Sequence, residues 1–445
     1  FLFLVSLALV TLPIVLYSGG IALNSLFNVS ELLHVSEKES LVIVIACIGV
    51  IGGIYAIFGG LKAVAVSDTI NGIGLIIGGI LIPVLGLLKL GDGSVMDGLS
   101  QLLTAHPEKM NAIGSSSSSV PFSTLFTGML LVNTFYWCTN QQIVQREFGA
   151  KNLAEGQKGA LIAGFAKMLD PFILVIPGII AFHLYGSEIG SQDSAYSVLV
   201  SHVLPLPLVG FFGAVLFGAV LSSFNSALNS ASTMFCLNIY KPMINPNISD
   251  KKLVNVGKVF GTVVGIFSIL VAPSIANAPQ GLYTFMKSVM GFFNIPILAV
   301  VLVGFATKKV PAIGAKIAII FFIISYAIYK FVYPINVHYL HIYGILFVIC
   351  LVIMFVSAKI APRKEIYVQK NAKAVDLKPW KYAKPVSGIV VTTLIYIYTV
   401  FSPIGIINKG EAIPQIFTGM TVAYVVISAI VFVVILKKQK LEEYK

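Results

Sequence analysis

An all-α bundle of membrane-spanning helices is the fold class this sequence predicts, on three observations. The 445 residues are 57% hydrophobic and only 11% charged, where an average soluble domain has roughly 45–50% apolar and roughly 25% charged residues. The apolar residues come in blocks of bilayer length. Lysine and arginine crowd alternate connections between those blocks.

A helix needs about 20 predominantly apolar residues to cross the hydrocarbon core. Lipid offers no partner to an open backbone, so such blocks must be helical. Twelve spans follow, over roughly 1–28, 40–58, 67–90, 121–146, 159–186, 205–240, 253–273, 279–306, 311–333, 338–360, 385–404 and 415–436. The third starts directly after Gly59 and Gly60. Interior Gly and Pro are tolerated here, because neighbouring helices repair the freed backbone groups. The polar connection 91–120 closes on the run Ser115 to Ser119 and reads as a flexible outer loop. The basic segment 361–384 divides the last two spans from the rest.

The net charge of +12 would suit a nucleic-acid partner on a soluble scaffold, but its placement excludes one. One set of loops carries Arg146, Lys151 and Lys158, then Lys241, Lys251 and Lys252, then 308–316, 359–384 and the tail from Lys437. The opposite set has few cations. This is the positive-inside bias, and it puts both chain ends in the cytoplasm of a cell (plasma or inner) membrane, with the lipid bilayer as the first partner. Cys47, Cys138, Cys236 and Cys350 all fall inside predicted spans, so no disulfide framework is implied. The six histidines lack metal-ligand spacing, and there is neither a nucleophile elbow nor a phosphate loop; an enzyme is not expected. The chain opens at Phe1 inside a hydrophobic run, which reads as an N-terminally incomplete chain.

Polar residues inside spans are costly, and each is a functional hypothesis. Asp68, in GGLKAVAVSDTIN, opens the third span at its inner end, where helix capping would also place a carboxylate. Asn133, Tyr136, Trp137 and Asn140 lie at i, i+3, i+4 and i+7 and would share one helix face. An amide beside two large rings suits a polyol; an interfacial aromatic belt is the competing reading. Lys167 lies inside the next span, in FAKMLDPF, and needs a partner there. Ala219, Ser222, Ser223 and Ser226 fall on one face of AVLSSFNSALNSAST. Hydroxyl and carbonyl oxygens suit a small hard cation, and equally a small-residue packing face; spacing alone does not separate these.

These clusters, with YSGGIAL at 17–23, YWCTNQQIVQR at 136–146, AEGQKGALIAGFAK at 154–167 and SSFNSALNSASTMF at 222–235, resemble the sodium/solute symporter family, most of all its sodium–sugar cotransporters. The resemblance covers about residues 10 to 310. It implies a LeuT-type inverted-repeat core over 1–306, lacking its first two helices, with peripheral helices over 307–445. It implies sodium as the co-transported ion, held by the Ala219 carbonyl and the Ser222 and Ser223 hydroxyls. Asp68, Ser222 and Ser226 match a second sodium site that some members have; Asn225 stands where the family usually has Ser or Thr. Asn133 and Lys167 match sugar-contacting positions, and Tyr136, with Trp137 beside it, the aromatic closing the inner side of the pocket.

One departure stands out. The family's sugar-contacting Gln falls on Lys287, four residues after Tyr283. A mid-membrane lysine costs about 2.5–3.5 kcal/mol on insertion scales. Either an anionic sugar read by Lys167 and Lys287, or an acidic residue on the absent helices, would neutralise it. The expected function is therefore sodium-coupled import of a sugar or polyol, acidic in one version. Inositol, amino acid, carboxylate or vitamin transport competes within the family, and a membrane sensor domain competes from another class.

Overall fold

The computed structural model describes residues 1–190, 192–277, 282–363, 376–407 and 409–443, and for 57–65, 277, 411 and 443 the backbone alone. Part of the GGLKAVAVSD motif and half of the 361–384 segment (364–375) thus lie outside the described side chains. Among the described residues every regular element is helical.

The first crossing, α1 (Leu2–Phe27), contains one wide π turn at Leu7–Thr11. Pro13 follows that turn and has no N–H to donate, which is where a helix opens. Residues Glu37–Leu90 are helical throughout, in two arms, α2 (Glu37–Ala56) and α3 (Val66–Leu90). A capping box starts the first arm: Ser36 Oγ accepts from the Glu39 N–H at 3.3 Å, and Glu39 Oε2 accepts from the Ser36 N–H at 2.9 Å. Gly52 lies against Leu221 and Phe224, and Gly74 against Val215. A straight helix would hold positions 52 and 74 about 33 Å apart, so the arms are separate crossings of one bundle, matching the runs 40–58 and 67–90.

Then come α4 (Gly128–Cys138), α5 (Gln141–Glu147), α6 (Leu153–Lys167), α7 (Ile176–Tyr185), α8 (Leu206–Phe235), α9 (Asp250–Val271) and α10 (Leu282–Ala306). The last four are α11 (Ala312–Ala327), α12 (Tyr339–Ile360), α13 (Ala383–Val400) and α14 (Ile413–Glu443). Eleven helical stretches among the described residues are long and apolar enough to cross a membrane. The expected span 121–146 is the exception. It breaks into a 3₁₀ turn at Phe122–Phe126, the 11-residue α4 and the short α5. At about 16 Å, α4 is half a bilayer core in length.

The described chain divides into two compact units. The first holds 1–78, 124–143 and 187–368. Its core packs α8 against α1 and α9, around Leu12, Leu16, Ile48, Phe224, Ala227 and Leu228. Helices α4, α10, α11 and α12 pack on one another beside it. The second unit holds 79–123, 144–186 and 369–445. There α13 and α14 form an antiparallel pair with a polar ladder: Thr392 to Ser428 at 2.8 Å, Thr393 to Tyr424 at 2.7 Å and Tyr396 to Thr421 at 2.7 Å, hydroxyl to hydroxyl. Such bonds hold helices together where apolar burial gives no preference over lipid.

Candidate functional site

Helix α8 carries the serine-rich segment. Its hydroxyls divide into two kinds. Ser226 donates to the Ser222 carbonyl at 2.6 Å and Ser230 to the Ser226 carbonyl at 2.7 Å, the usual way a helix absorbs its own hydroxyls. The hydroxyls of Ser222 and Ser223 have no hydrogen-bond partner among the described residues. Beside them, Asn225 is 0% exposed, and neither its amide nitrogen nor its amide oxygen has a hydrogen-bond partner among the described residues. A buried unpaired amide costs about 1–3 kcal/mol, so this point of α8 is built for a polar neighbour.

The register of α3 on α8 brings a carboxylate to that level. Gly74 faces Val215 at 2.7 Å and Gly78 faces Phe212 at 2.6 Å, measured from the position a Cβ would take. One turn earlier the Asn71 amide fills the space over Gly218. Numbers rise on one helix as they fall on the other, so the pair is antiparallel. One further turn sets Asp68 level with Ser222. Asp68 does not start a helix, since the backbone is helical from Glu37; capping is therefore not its task. The side chains of 57–65 are outside the described set, so nothing is added on that side.

Helix α4 ends where Thr139 and Asn140 compete for its backbone. The Thr139 hydroxyl donates to the Phe135 carbonyl at 2.8 Å, the Asn140 N–H donates to that same carbonyl at 3.0 Å, and Asn140 Oδ1 accepts from the Gln142 N–H at 2.9 Å. The expected four-residue face is therefore shortened: Asn140 has left the helix and caps the next one. Asn133, Tyr136 and Trp137 keep their common face, opposite the buried Val132 and Phe135. The two rings meet edge-on at 5.3 Å, each 42% exposed. On α10, Lys287 Nζ lies 5.4 Å from the centre of the Tyr283 ring, a cation–π distance.

Lys167 differs from its expected setting. It does lie inside the apolar stretch Leu153–Tyr185, as expected, but at the point where α6 ends, with its side chain 60% exposed and paired with Asp170. The helix breaks there because Pro171 opens a wide turn at Pro171–Val175. Lys167 belongs to the second unit, whereas the other candidate residues belong to the first.

Residues 4–321 match the family described as the Sodium:solute symporter family. The chain belongs to that family. It is a multi-pass membrane protein of sodium-coupled transport, not an enzyme, and sodium enters its chemistry as cargo. A relative described as uncharacterized symporter YidK, from Escherichia coli (strain K12), is 49% identical over 91% of this chain and 71% of its own length. The sodium/glucose cotransporter of Vibrio parahaemolyticus is 32% identical over 70% of this chain and 59% of its own length. The human sodium/myo-inositol cotransporter is 29% identical over 68% of this chain and 46% of its own length. This symporter-family chain thus spans between about half and seven tenths of these relatives. A solved structure of a Na+-coupled sialic acid symporter, in a substrate-bound outward-open state, superposes with a TM-score of 0.65 at 21% identity, over 82% of this chain and 75% of that one. That likeness shows the fold, the LeuT-type helix bundle.

Two functional candidates were not apparent from the sequence. Gln142 Nε2 donates to the Ser223 carbonyl at 3.3 Å, tying α5 to the serine-rich helix. Tyr343 reaches the backbone of Lys287 at 3.0 Å. Both partners are far away in sequence; Gln142 lies in YWCTNQQIVQR but the resemblance assigns it no role there, and Tyr343 lies in none of the family-like motifs.

Proposed function

We propose that this chain forms much of a sodium-coupled symporter for a sugar or polyol, working by alternating access. The observation that carries the reading is the division among the α8 hydroxyls: Ser226 and Ser230 are spent on their own helix, while Ser222 and Ser223 are left for a guest. With the Ala219 carbonyl they offer a small hard cation three oxygens, the ligand type such ions take. With Asp68 level with Ser222 and the Asn225 amide buried beside it, Asp68, Asn225 and Ser226 form a second sodium station or exit path.

Asn133, Tyr136 and Trp137 on one face of α4, with Tyr283 and Lys287 on α10, form the solute-binding set of the first unit; Lys167, on α6 of the second unit, is a solute contact proposed from the family resemblance alone. Amide and ammonium groups hydrogen-bond hydroxyls, and rings stack on the apolar face of a sugar. Relatives that are sodium/glucose and sodium/myo-inositol cotransporters support a polyhydroxylated solute. Lys287, where the family has a glutamine, favours one bearing a carboxylate or sulfate. Bound sodium drives the cycle only through its different affinity for the outward and inward states, and the membrane potential adds about 2.3 kcal/mol per charge per 100 mV. The Lys and Arg distribution supports a topology with both chain ends in the cytoplasm.

Sodium-dependent uptake by protein carrying Ser223→Ala tests this. The sodium half-saturation should rise while solute binding at saturating sodium survives. Unchanged sodium dependence removes that serine from the site. Competition by neutral hexoses as strong as that by uronates removes the anionic version.

A further inference from the structure

Helix α12 lies in the stretch to which the sequence assigns no role, yet it fastens both solute-contacting helices of the first unit. Tyr343 is fully buried. Its hydroxyl lies 3.0 Å from the Lys287 carbonyl, 3.0 Å from the Ser288 carbonyl and 3.1 Å from the Tyr326 hydroxyl. Tyr326, also fully buried, donates to the Ser288 carbonyl at 3.2 Å. Each hydroxyl has one proton, and one assignment serves both: Tyr326 gives to Ser288, Tyr343 to Lys287. Gly291 admits the contact, since a Cβ there would fall on the Tyr343 hydroxyl.

The same turn of α12 holds α4. The Thr127 hydroxyl, which precedes α4, lies 3.0 Å from His341 Nδ1. Gly128 sits directly on the Leu340 carbonyl, where no Cβ could fit, and a Cβ on Gly344 would stand 3.2 Å from that of Thr127. Residues 340–344 therefore grip the start of α4 and the first turns of α10 together. The grip on α10 falls on the carbonyl of Lys287 itself.

We propose that Leu340–Gly344 is the strut that sets the separation of α4 from α10, and that Tyr343 is a positioning residue for solute selectivity, acting through Lys287. This rests on the reading of Asn133, Tyr136, Trp137 and Lys287 as solute contacts. A displacement of about 1 Å at a binding group is enough to change selectivity. A phenol bonded to a carbonyl inside a dry helix bundle resists such a displacement, because breaking the bond strands two polar groups away from water.

The test uses the full chain in proteoliposomes, with radiolabelled glucose and glucuronate as probes. Tyr343→Phe should raise the half-saturation for the transported probe three- to tenfold and change the ratio between probes at least threefold. The sodium half-saturation should stay within twofold. Combined with Lys287→Gln, it should add nothing to the effect of Lys287→Gln alone. A lowered maximum rate with unchanged half-saturations, or additive effects, overturns the proposal. A second arm is independent of the solute: in protein whose exposed Cys47 and Cys138 are replaced by Ala, spin labels at Leu130→Cys on α4 and Phe305→Cys on α10 report the distance between the helices. Tyr343→Phe should broaden or shift that distance, and an unchanged distribution overturns the strut. If neither probe enters, the solute reading fails while the distance still decides the strut.

Discussion

The side-chain amide of Gln142 donates to the backbone carbonyl of Ser223 across 3.3 Å. This one bond connects the segment that follows the Tyr136–Trp137 face to the helix bearing the proposed sodium oxygens. Asn140 sets it up, because its side chain caps the Gln142 N–H and starts α5 at that point. A hydrogen bond of this kind contributes about 0.5–1.5 kcal/mol net, which corresponds to between about twofold and tenfold in an equilibrium. Gln142→Ala should therefore raise the sodium half-saturation by about threefold and reduce the effect of sodium on solute affinity. Sodium titrations of uptake at two solute concentrations measure both, and curves superposable on wild type would dismiss the link.

At Gly218, α8 meets α3 with the Asn71 amide occupying the place of a Cβ. Asn71 is itself held by a bond from its Nδ2 to Ser67 Oγ at 3.3 Å. Gly218→Ala must displace the Asn71 amide from this place, and so disturb α3 one turn from Asp68. Overpacking of this kind costs about 1–3 kcal/mol. The variant should unfold at lower temperature in detergent and need more sodium for half-maximal uptake. Asn71→Ala on the same background should restore both, since it empties the contested space. Failure of that second change to rescue would mean the helices are not spaced by this pair.

The crossings were legible in the sequence because the bilayer dictates them: runs 40–58 and 67–90 are apolar for the width of the core, and each became a separate arm on α8. The common face of Asn133, Tyr136 and Trp137 was legible too, since helical spacing alone sets it. The break at 139–140 was not. An apolar window averages over Thr139 and Asn140, whereas the backbone responds to the two side chains that compete for the Phe135 carbonyl and the Gln142 N–H. The partner of Lys167 stood three residues away in FAKMLDPF and was legible as Asp170 in hindsight of the helix end. Tyr343 was illegible, because its partners lie 55 and 56 positions earlier and only the folded chain brings them within reach.

Asn225 sets stability against ion binding. Its buried amide finds no hydrogen-bond partner among the described residues, and an apolar residue of similar size would remove that cost. Asn225→Leu should thus unfold at the same or a higher temperature than wild type in sodium-free detergent. If the amide oxygen takes part in a second sodium station, the sodium-dependent rise in unfolding temperature should shrink in the variant. A full sodium-dependent rise in Asn225→Leu would exclude the amide from ion binding.

Lys167 and Asp170 form an ion pair three residues apart at the end of α6, with side chains 60% and 29% exposed. The pair lies inside the apolar stretch Leu153–Tyr185, and its proposed value for solute binding lies in orientation. With α6 ending at Lys167 and a wide turn beginning at Pro171, the lysine has a free helix end on which to swing, and Asp170 limits that swing. Asp170→Asn should leave the unfolding temperature within a few degrees of wild type and raise the solute half-saturation about three- to tenfold. Lys167→Met should do the same, and the two together no more than either alone, because both remove one oriented ammonium. Additive losses in the double variant, or an unfolding temperature that drops sharply in Asp170→Asn, would show the pair to be a structural clasp with no part in solute recognition.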